Sequence, residues 1–276
     1  MLKKCLYPVA GYGTRFLPAT KSMAKEMLPI VDKPLIQYAV SEAMDAGMIE
    51  QAFVTGRTKR TIEDHFDISY ELENEIRGSS KEEKLAEIRS IRESCVFTYT
   101  RQKEMKGLGH AILTGEPMIG DEPFGVILAD DLCITEGDSV MKQMAGLYKQ
   151  FRCSIVAIEE VPPEETSKYG VIKAEQFQDH LFKIEDMVEK PDPADAPSNL
   201  AVIGRYILTP DIFDYIRDTK PGANGEVQIT DALKAQAQKG CVMAYRFKGR
   251  RFDCGSLHGY VEATNYCYQQ FHTPDE

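Results

Sequence analysis

The run Ala10-Gly11-Tyr12-Gly13-Thr14-Arg15-Phe16-Leu17-Pro18, with Lys21 and Lys25-Glu26-Met27-Leu28-Pro29 close behind it, has the make-up of a phosphate-handling loop. Glycines directly after a strand let backbone amides approach a phosphate or a base closely. Arg15, Lys21 and Lys25 add three cations, which suits a triphosphate. Spacing excludes two common loop types. Phe16 stands where the dinucleotide-binding G-x-G-x-x-G loop needs its third glycine, and no G-x-x-x-x-G-K-[ST] run is present. Farther along, Asp130 and Asp131 follow the apolar residues 124–128. A carboxylate at such a strand end is placed to hold Mg²⁺, which takes oxygen ligands and keeps waters and substrate phosphates. A strand-end Asp also forms plain turns, and Asp131 reads either as a second ligand or as a residue that shapes the site. Glu189-Lys190-Pro191 closes another apolar-rich stretch and by itself is only a charged strand end.

The elements that must position these residues alternate through the first half. Residues 5–10, 51–55, 95–99 and 124–128 read as strands, with helices over 34–46 (stopped by Gly47), 58–66 and 108–114. That alternation predicts an α/β fold, a mainly parallel sheet with helices on both faces. Ligands of such sheets bind outside the carboxyl ends of the strands, so the loops after Ala10, Tyr99 and Leu128 are the ones to watch. From Ser154 the pattern is strand-rich: 154–159, 169–174, 181–188 and 199–208, then helices near 211–217, 228–238 and 256–270. The charged stretch 69–93 predicts a solvated helical pair rather than a lid or an oligomer contact, and Ser80 and Glu83 have capping-box spacing.

Taken in order, these segments resemble the nucleotidyltransferases that join nucleoside triphosphates to sugar 1-phosphates. The similarity rests on G-x-G-T-R-x-x-P and K-x-x-x-K-E-x-L-P between Gly11 and Pro29, then on Gln102 with Gly107-Leu108-Gly109-His110-Ala111. It continues through Leu128-Ala129-Asp130-Asp131, Tyr169-Gly170-Val171, Val188-Glu189-Lys190-Pro191 and Phe252-Asp253-Cys254-Gly255. The resemblance implies a Rossmann-like nucleotidyltransferase fold in one domain, 1–276, with a nucleotide-binding half (1–150) and a sugar-phosphate-binding half (151–276). It implies uridylyl transfer from UTP to glucose 1-phosphate, giving UDP-glucose and pyrophosphate, with Mg²⁺ held by Asp130 and Asp253. Gln102 would face the base, because one amide can accept from an imide N–H and donate to a carbonyl, the pattern of uracil and thymine. Ala10, Gly11, Gly13 and Gly107 would approach the nucleotide through backbone. Glu26 stands where thymidylyl relatives carry Gln, which favours UTP over dTTP. Arg15 and Lys25 would stabilise the departing pyrophosphate and Lys190 would grip the acceptor phosphate. Glu189, Gly170 and Val202 would complete the sugar pocket. Glucose and galactose differ in the orientation of one hydroxyl, so the sugar rests on the resemblance alone. The resemblance also implies a homodimer or homotetramer. A non-catalytic nucleotide-sugar-binding subunit is the rival of another class, and loss of the charged centre would mark it.

Other residues carry less. His110, at a helix start, reads as capping, packing or substrate contact alike. His65, His180, His258 and His272 have no metal-ligand spacing, Ser22, Ser41 and Ser167 no nucleophile-elbow context, and Thr230-Asp231 reads as helix initiation. The net charge of −10, from 33 basic and 43 acidic residues, disfavours non-specific binding to nucleic acid or an anionic membrane. No run is apolar enough to span a membrane. The N-terminal apolar stretch is too short for a signal peptide and runs into Gly11 and Arg15. Seven cysteines without a C-x-x-C pair predict buried free thiols in a cytoplasmic protein.

Overall fold

The computed structural model describes residues 2–222 and 225–271, so His272 lies outside the described residues. Nine strands form one sheet in the order Val96–Arg101, Glu50–Thr55, Lys4–Pro8, Phe124–Ile127, Leu200–Leu208, Ser154–Glu160, Val242–Arg246, Leu181–Glu189, Gly170–Gln178. The four strands of the first half pair in parallel. Leu200–Leu208 then joins antiparallel to Phe124–Ile127 and to Ser154–Glu160, which carries Val242–Arg246 in parallel. Strands Leu181–Glu189 and Gly170–Gln178 extend the sheet antiparallel. The fold is the expected α/β one, mixed because the parallel part is concentrated in the first half of the chain.

The period-2 alternation of the strands separates two apolar cores. Cys5, Tyr7, Ile155 and Ala157 point to one, where helices Leu35–Asp45 and Val140–Phe151 pack. Leu6, Val156 and Ile158 point to the other, under Gly107–Thr114, Ile212–Asp218 and Ile229–Lys239. Gly47, at φ +83°, supplies the left-handed residue just past Leu35–Asp45, as its position predicts. Helix Val140–Phe151 lies outside the elements expected from the sequence. Its signals are nonetheless local: Ser139 Oγ caps Lys142 N–H, and Val140, Met144 and Tyr148 share a buried face.

Segment 69–93 is a helical pair, Tyr70–Ile76 and Ala86–Ser94, tied together by Arg89 and Arg92 on Glu73. The capping-box spacing of Ser80 and Glu83 is not used. Glu82 accepts from Gly78 N–H and Ser79 Oγ from Lys81 N–H, so the turn closes one residue earlier.

A third apolar cluster matters most for the site. Phe16 and Leu28 of the N-terminal loop meet Leu132, Phe252 and Cys254, with Ala263 and Cys267 of the C-terminal helix Leu257–Phe271 behind them. Strands Asp131–Ile134 and Arg250–Asp253 pair antiparallel above this cluster, with Asp253 directly opposite Asp131. Two distant stretches of chain are thereby clamped against the glycine loop.

Candidate active site

Two cavities meet at the glycine loop. The first, of about 350 Å³, is lined by Ala10, Gly11, Gly13, Gln102, Gly107 and Glu226 among others. Gly107 sits at φ +92°, and a Cβ there would lie 2.8 Å from both Glu226 Cβ and the Val227 carbonyl oxygen. Only glycine fits that seat. Gln102 is 4% exposed. Its Nε2 lies 3.3 Å from the Gly107 carbonyl oxygen and 2.8 Å from His110 Nδ1. Both amide hydrogens are thus directed at protein acceptors. The donating half of the base contact expected of Gln102 is thus taken up within the protein, and its accepting half is what remains for a base.

The second cavity, of about 890 Å³, is lined by Arg15, Asp130, Tyr169, Lys190, Arg251 and Asp253 among others. Arg15 follows Gly13 by two residues, so one loop borders both cavities. A Cβ placed on Gly255 would lie 3.0 Å from Asp130 Oδ2, 3.0 Å from Asp253 Oδ1 and 3.4 Å from an Arg15 terminal nitrogen. The two carboxylate oxygens therefore lie within twice 3.0 Å of each other, across a space that any larger residue at 255 would fill. Lys25 Nζ donates to Asp130 Oδ2. Burial raises the Asp130 carboxyl, but Lys25 and Arg15 outweigh it and hold the group below the usual aspartate range. Asp253 goes the other way. Burial and the facing Asp131 push it up, against the opposing pull of Arg251.

Both carboxylate oxygens of Asp131 are taken by protein donors. Its Oδ2 accepts from Gly204 N–H at 2.8 Å and its Oδ1 from Arg251 Nε at 2.6 Å. Like charges directly opposite across a ladder are unfavourable. Arg251 offsets the Asp131–Asp253 pair, and it also reaches Glu159 and the Tyr169 hydroxyl. Arg251 was legible as a same-face neighbour of Asp253 two residues away, but its partners were not.

Of the residues expected to meet the sugar, Gly170 lies opposite Glu189 in the ladder. Thr230 Oγ1 donates to Glu189 Oε2 at 2.6 Å, and a Cβ on Gly170 would fall 2.9 Å from that hydroxyl. Helix Ile229–Lys239 starts from Gln228 with no side-chain cap, so Thr230 orients Glu189 rather than initiating the helix. Lys190 sits at φ +46°, a left-handed conformation that costs a non-glycine residue about 1–2 kcal/mol. Its side chain is 52% exposed, 3.2 Å from Glu189 Oε1, and borders the cavity of Asp130 and Arg15.

Six expected residues line neither cavity: Lys25, Gly170 and Glu189 adjoin residues that do (Asp130, Tyr169 and Lys190), and Lys21, Val202 and Glu26 are the other three. Lys21 is exposed and lines neither. Val202 is packed in the second core, paired with Ile158. Glu26 is 2% exposed and holds Lys59 Nζ at 2.7 Å, so its carboxylate reaches a nucleoside only by leaving that pair.

Among the described residues no group of three or more His, Cys, Asp or Glu has metal-ligating geometry. Mg²⁺ needs fewer protein ligands than that, one or two carboxylates with substrate oxygens and water completing the shell. The converging oxygens of Asp130 and Asp253 fit such an ion, recruited together with phosphates.

The family description "Nucleotidyl transferase" matches this chain over residues 9–270. A UTP–glucose-1-phosphate uridylyltransferase of Pseudomonas aeruginosa is 69% identical over 273 residues, covering 99% of this chain and 98% of that relative. One from Staphylococcus epidermidis is 47% identical over 264 residues, covering 95% and 91%. The crystal structure of a UDP-glucose pyrophosphorylase complexed with UDP-glucose superposes with a TM-score of 0.92 at 63% identity, covering 98% of this chain and 100% of that one. A UTP-bound UGPase from Acinetobacter baumannii gives 0.90 at 37% identity, covering 99% and 95%. With two cavities joined by one glycine loop and this similarity along nearly its whole length, the chain belongs to the nucleotidyl transferase family.

Proposed function

We propose that this chain transfers the uridylyl group of UTP to glucose 1-phosphate, giving UDP-glucose and pyrophosphate. The observation that carries this reading is the loop Gly11–Arg15. It joins a small base-sized cavity at Gln102 to a cleft where Arg15, Lys25 and Lys190 meet Asp130 and Asp253. The names of the relatives support the same reaction.

The acceptor needs no general base, because the second ionisation of a phosphate monoester lies near about 6. Its oxygen attacks the α-phosphorus of UTP, the bond to the β-phosphate oxygen breaks, and pyrophosphate leaves with the electron pair. The obstacle is the meeting of two polyanions, so positioning and charge stabilisation carry the catalysis. Lys190, aimed by its left-handed backbone, would hold the acceptor phosphate. Glu189, oriented by Thr230, would accept from sugar hydroxyls, with Gly170 leaving room. Arg15 and Lys25 would stabilise the departing pyrophosphate, Lys25 turning from Asp130 toward it. Asp130 and Asp253 would hold Mg²⁺, which when bound supplies charge neutralisation at the substrate phosphates.

We assign 1–150 to the nucleotide side and 151–276 to the sugar-phosphate side of one domain, a division supported by one continuous sheet and crossed by Glu226 at the base cavity. A homodimer or homotetramer is supported by the exposed Leu257, Val261, Tyr268 and Phe271 on the C-terminal helix. Seven free cysteines support the cytoplasm, and no helix among the described residues is long and apolar enough to cross a membrane.

Pyrophosphate release across a matrix of nucleoside triphosphates and sugar 1-phosphates tests the reaction. UTP should be used better than dTTP, and both far better than ATP or GTP. Equal turnover with ATP would overturn the uridylyl reading.

A further inference from the structure

We propose that Cys153 and Cys241 form a thiol modification site: a small-molecule disulfide is taken up at Cys241 and resolved by Cys153 into a reversible bond that staples two strands of the sheet. Cys241 is exposed, whereas Cys153 is buried at 9% exposure. Neither lines the cavities of the candidate active site, so the inference is independent of the reaction proposed above.

The ladder brings the pair together. Strands Ser154–Glu160 and Val242–Arg246 run parallel, with Ser154 directly opposite Val242. Cys153 and Cys241 are the residues immediately before that first pair. Neighbouring strands lie about 4.8 Å apart, inside the Cα separation of about 4.4–6.8 Å that a disulfide spans. The two thiols are within hydrogen-bonding reach of each other, and Cys153 Sγ also takes the Met243 N–H. Each cysteine directly follows a helix exit. Arg152, in the left-handed conformation, ends Val140–Phe151, and Gly240 ends Ile229–Lys239. Those helices pack on opposite faces of the sheet, so a bond between Cys153 and Cys241 ties both layers together.

The two thiols divide the chemistry. Burial and the neighbouring Cys241 push the Cys153 thiol up to about 12, so it stays protonated while Cys241 meets solvent. The thiolate is the attacking form, and the first attack therefore falls to Cys241. Its sulfur bonds to one sulfur of a small disulfide such as oxidised glutathione, and the other half leaves as a thiolate with the electron pair. Capping removes the Cys241 charge from beside Cys153, which eases loss of the Cys153 proton to solvent. Cys153 then attacks Cys241 Sγ and expels the second small thiolate. In balance, two protein thiols and one small disulfide become one protein disulfide and two small thiols. In a reducing compartment such a bond is transient. It also clears the adduct that an exposed thiol without a resolving neighbour would keep.

The test incubates the whole protein with reduced and oxidised glutathione in varied ratio, quenches with acid and an alkylating agent, and maps the unreduced peptides by mass spectrometry. The parent should lose two thiols and yield the Cys153–Cys241 linked peptide without a lasting glutathione adduct. Cys153→Ala should hold glutathione on Cys241, and Cys241→Ser should give neither adduct nor link. Closing a loop of about 90 residues should also raise the melting temperature by about 5–10 °C, and dithiothreitol should reverse the shift. A lasting adduct on Cys241 of the parent, a link between other cysteines, or no reaction even in oxidised glutathione alone overturns the pairing. A linked parent whose melting temperature is unchanged or lower overturns the staple. The parent's own peptide map and melting curve decide both points if either variant fails to fold.

Discussion

Two lysine–carboxylate pairs lie side by side in this protein and behave in opposite ways. Lys59 and Glu26 are sealed, each side chain 2% exposed, with 2.7 Å between charges. Lys25 and Asp130 are part-exposed, at 22% and 28%, and Asp130 lines the cleft. In the sealed pair burial wins: the Glu26 carboxyl is pushed up and the Lys59 ammonium down. In the open pair burial is outweighed by the partner: Asp130 is held down and Lys25 up. The same chemistry one residue apart along the chain thus gives a fixed strut and an exchangeable contact. A sealed pair is costly to break, because one charge stays buried without its partner. An open pair can trade its partner for a phosphate or a cation at little cost, which is what a transfer site requires.

The largest expected effect breaks the strut. Lys59→Met leaves Glu26 buried without its nearest cation and should lower stability by about 3–5 kcal/mol at neutral pH. The sign with pH follows. A carboxyl whose folded value is raised contributes stability present below its unfolded value and lost as pH rises through the folded one. The deficit of Lys59→Met relative to the parent should therefore be small in acid and grow toward pH 8, as urea unfolding at several pH values will read. Adding Glu26→Gln should return much of the loss. A deficit independent of pH would mean that Glu26 is not the group left exposed to the penalty. If the double variant regains stability but has a raised KM for UTP, Glu26 also meets the nucleoside.

Next comes the open pair and its neighbour. Asp130→Asn and Asp253→Asn keep shape and remove the charge that holds a hard cation. Each should lower kcat by about 10²–10³-fold, the scale of one lost electrostatic contact in a transition state, while the melting temperature stays near that of the parent. The double variant should be scarcely worse than the more damaged single one, since residues acting through one ion form a unit. Raised Mg²⁺ should partly rescue the singles. Strictly additive losses without rescue would show that the two carboxylates do not share an ion, despite the space they border at Gly255.

The smallest effect sharpens the contrast at Lys190. Lys190→Ala removes one charged hydrogen bond, worth about 1.5–3 kcal/mol. It should weaken use of glucose 1-phosphate while UTP titrated alone binds as in the parent. Normal turnover would place Lys190 outside the acceptor site, whatever its strained backbone suggests.

The sequence by itself carried the local information. The order G-x-G, Arg15, Lys25 and its missing third glycine marked a candidate phosphate loop and excluded a dinucleotide loop. Alternating strand and helix patterns located most of the sheet, because burial of one face or stripe is written into spacings of two and about 3.6 residues. Carboxylates after apolar strands marked the cleft for the same reason. What only the tertiary structure decided are the partnerships between distant stretches. Asp130 meets Asp253 because the Asp131–Ile134 and Arg250–Asp253 ladder forms over a shared apolar cluster. Thr230 turns to Glu189, and Lys59 withdraws Glu26 into the interior. His110 and Gln102 are near in sequence, yet their contact depends on how helix Gly107–Thr114 folds back, with Gly107 pinned against Glu226 and Val227. A side chain's type sets what it can bond, but its partner depends on which surfaces pack together, and no local spacing encodes that.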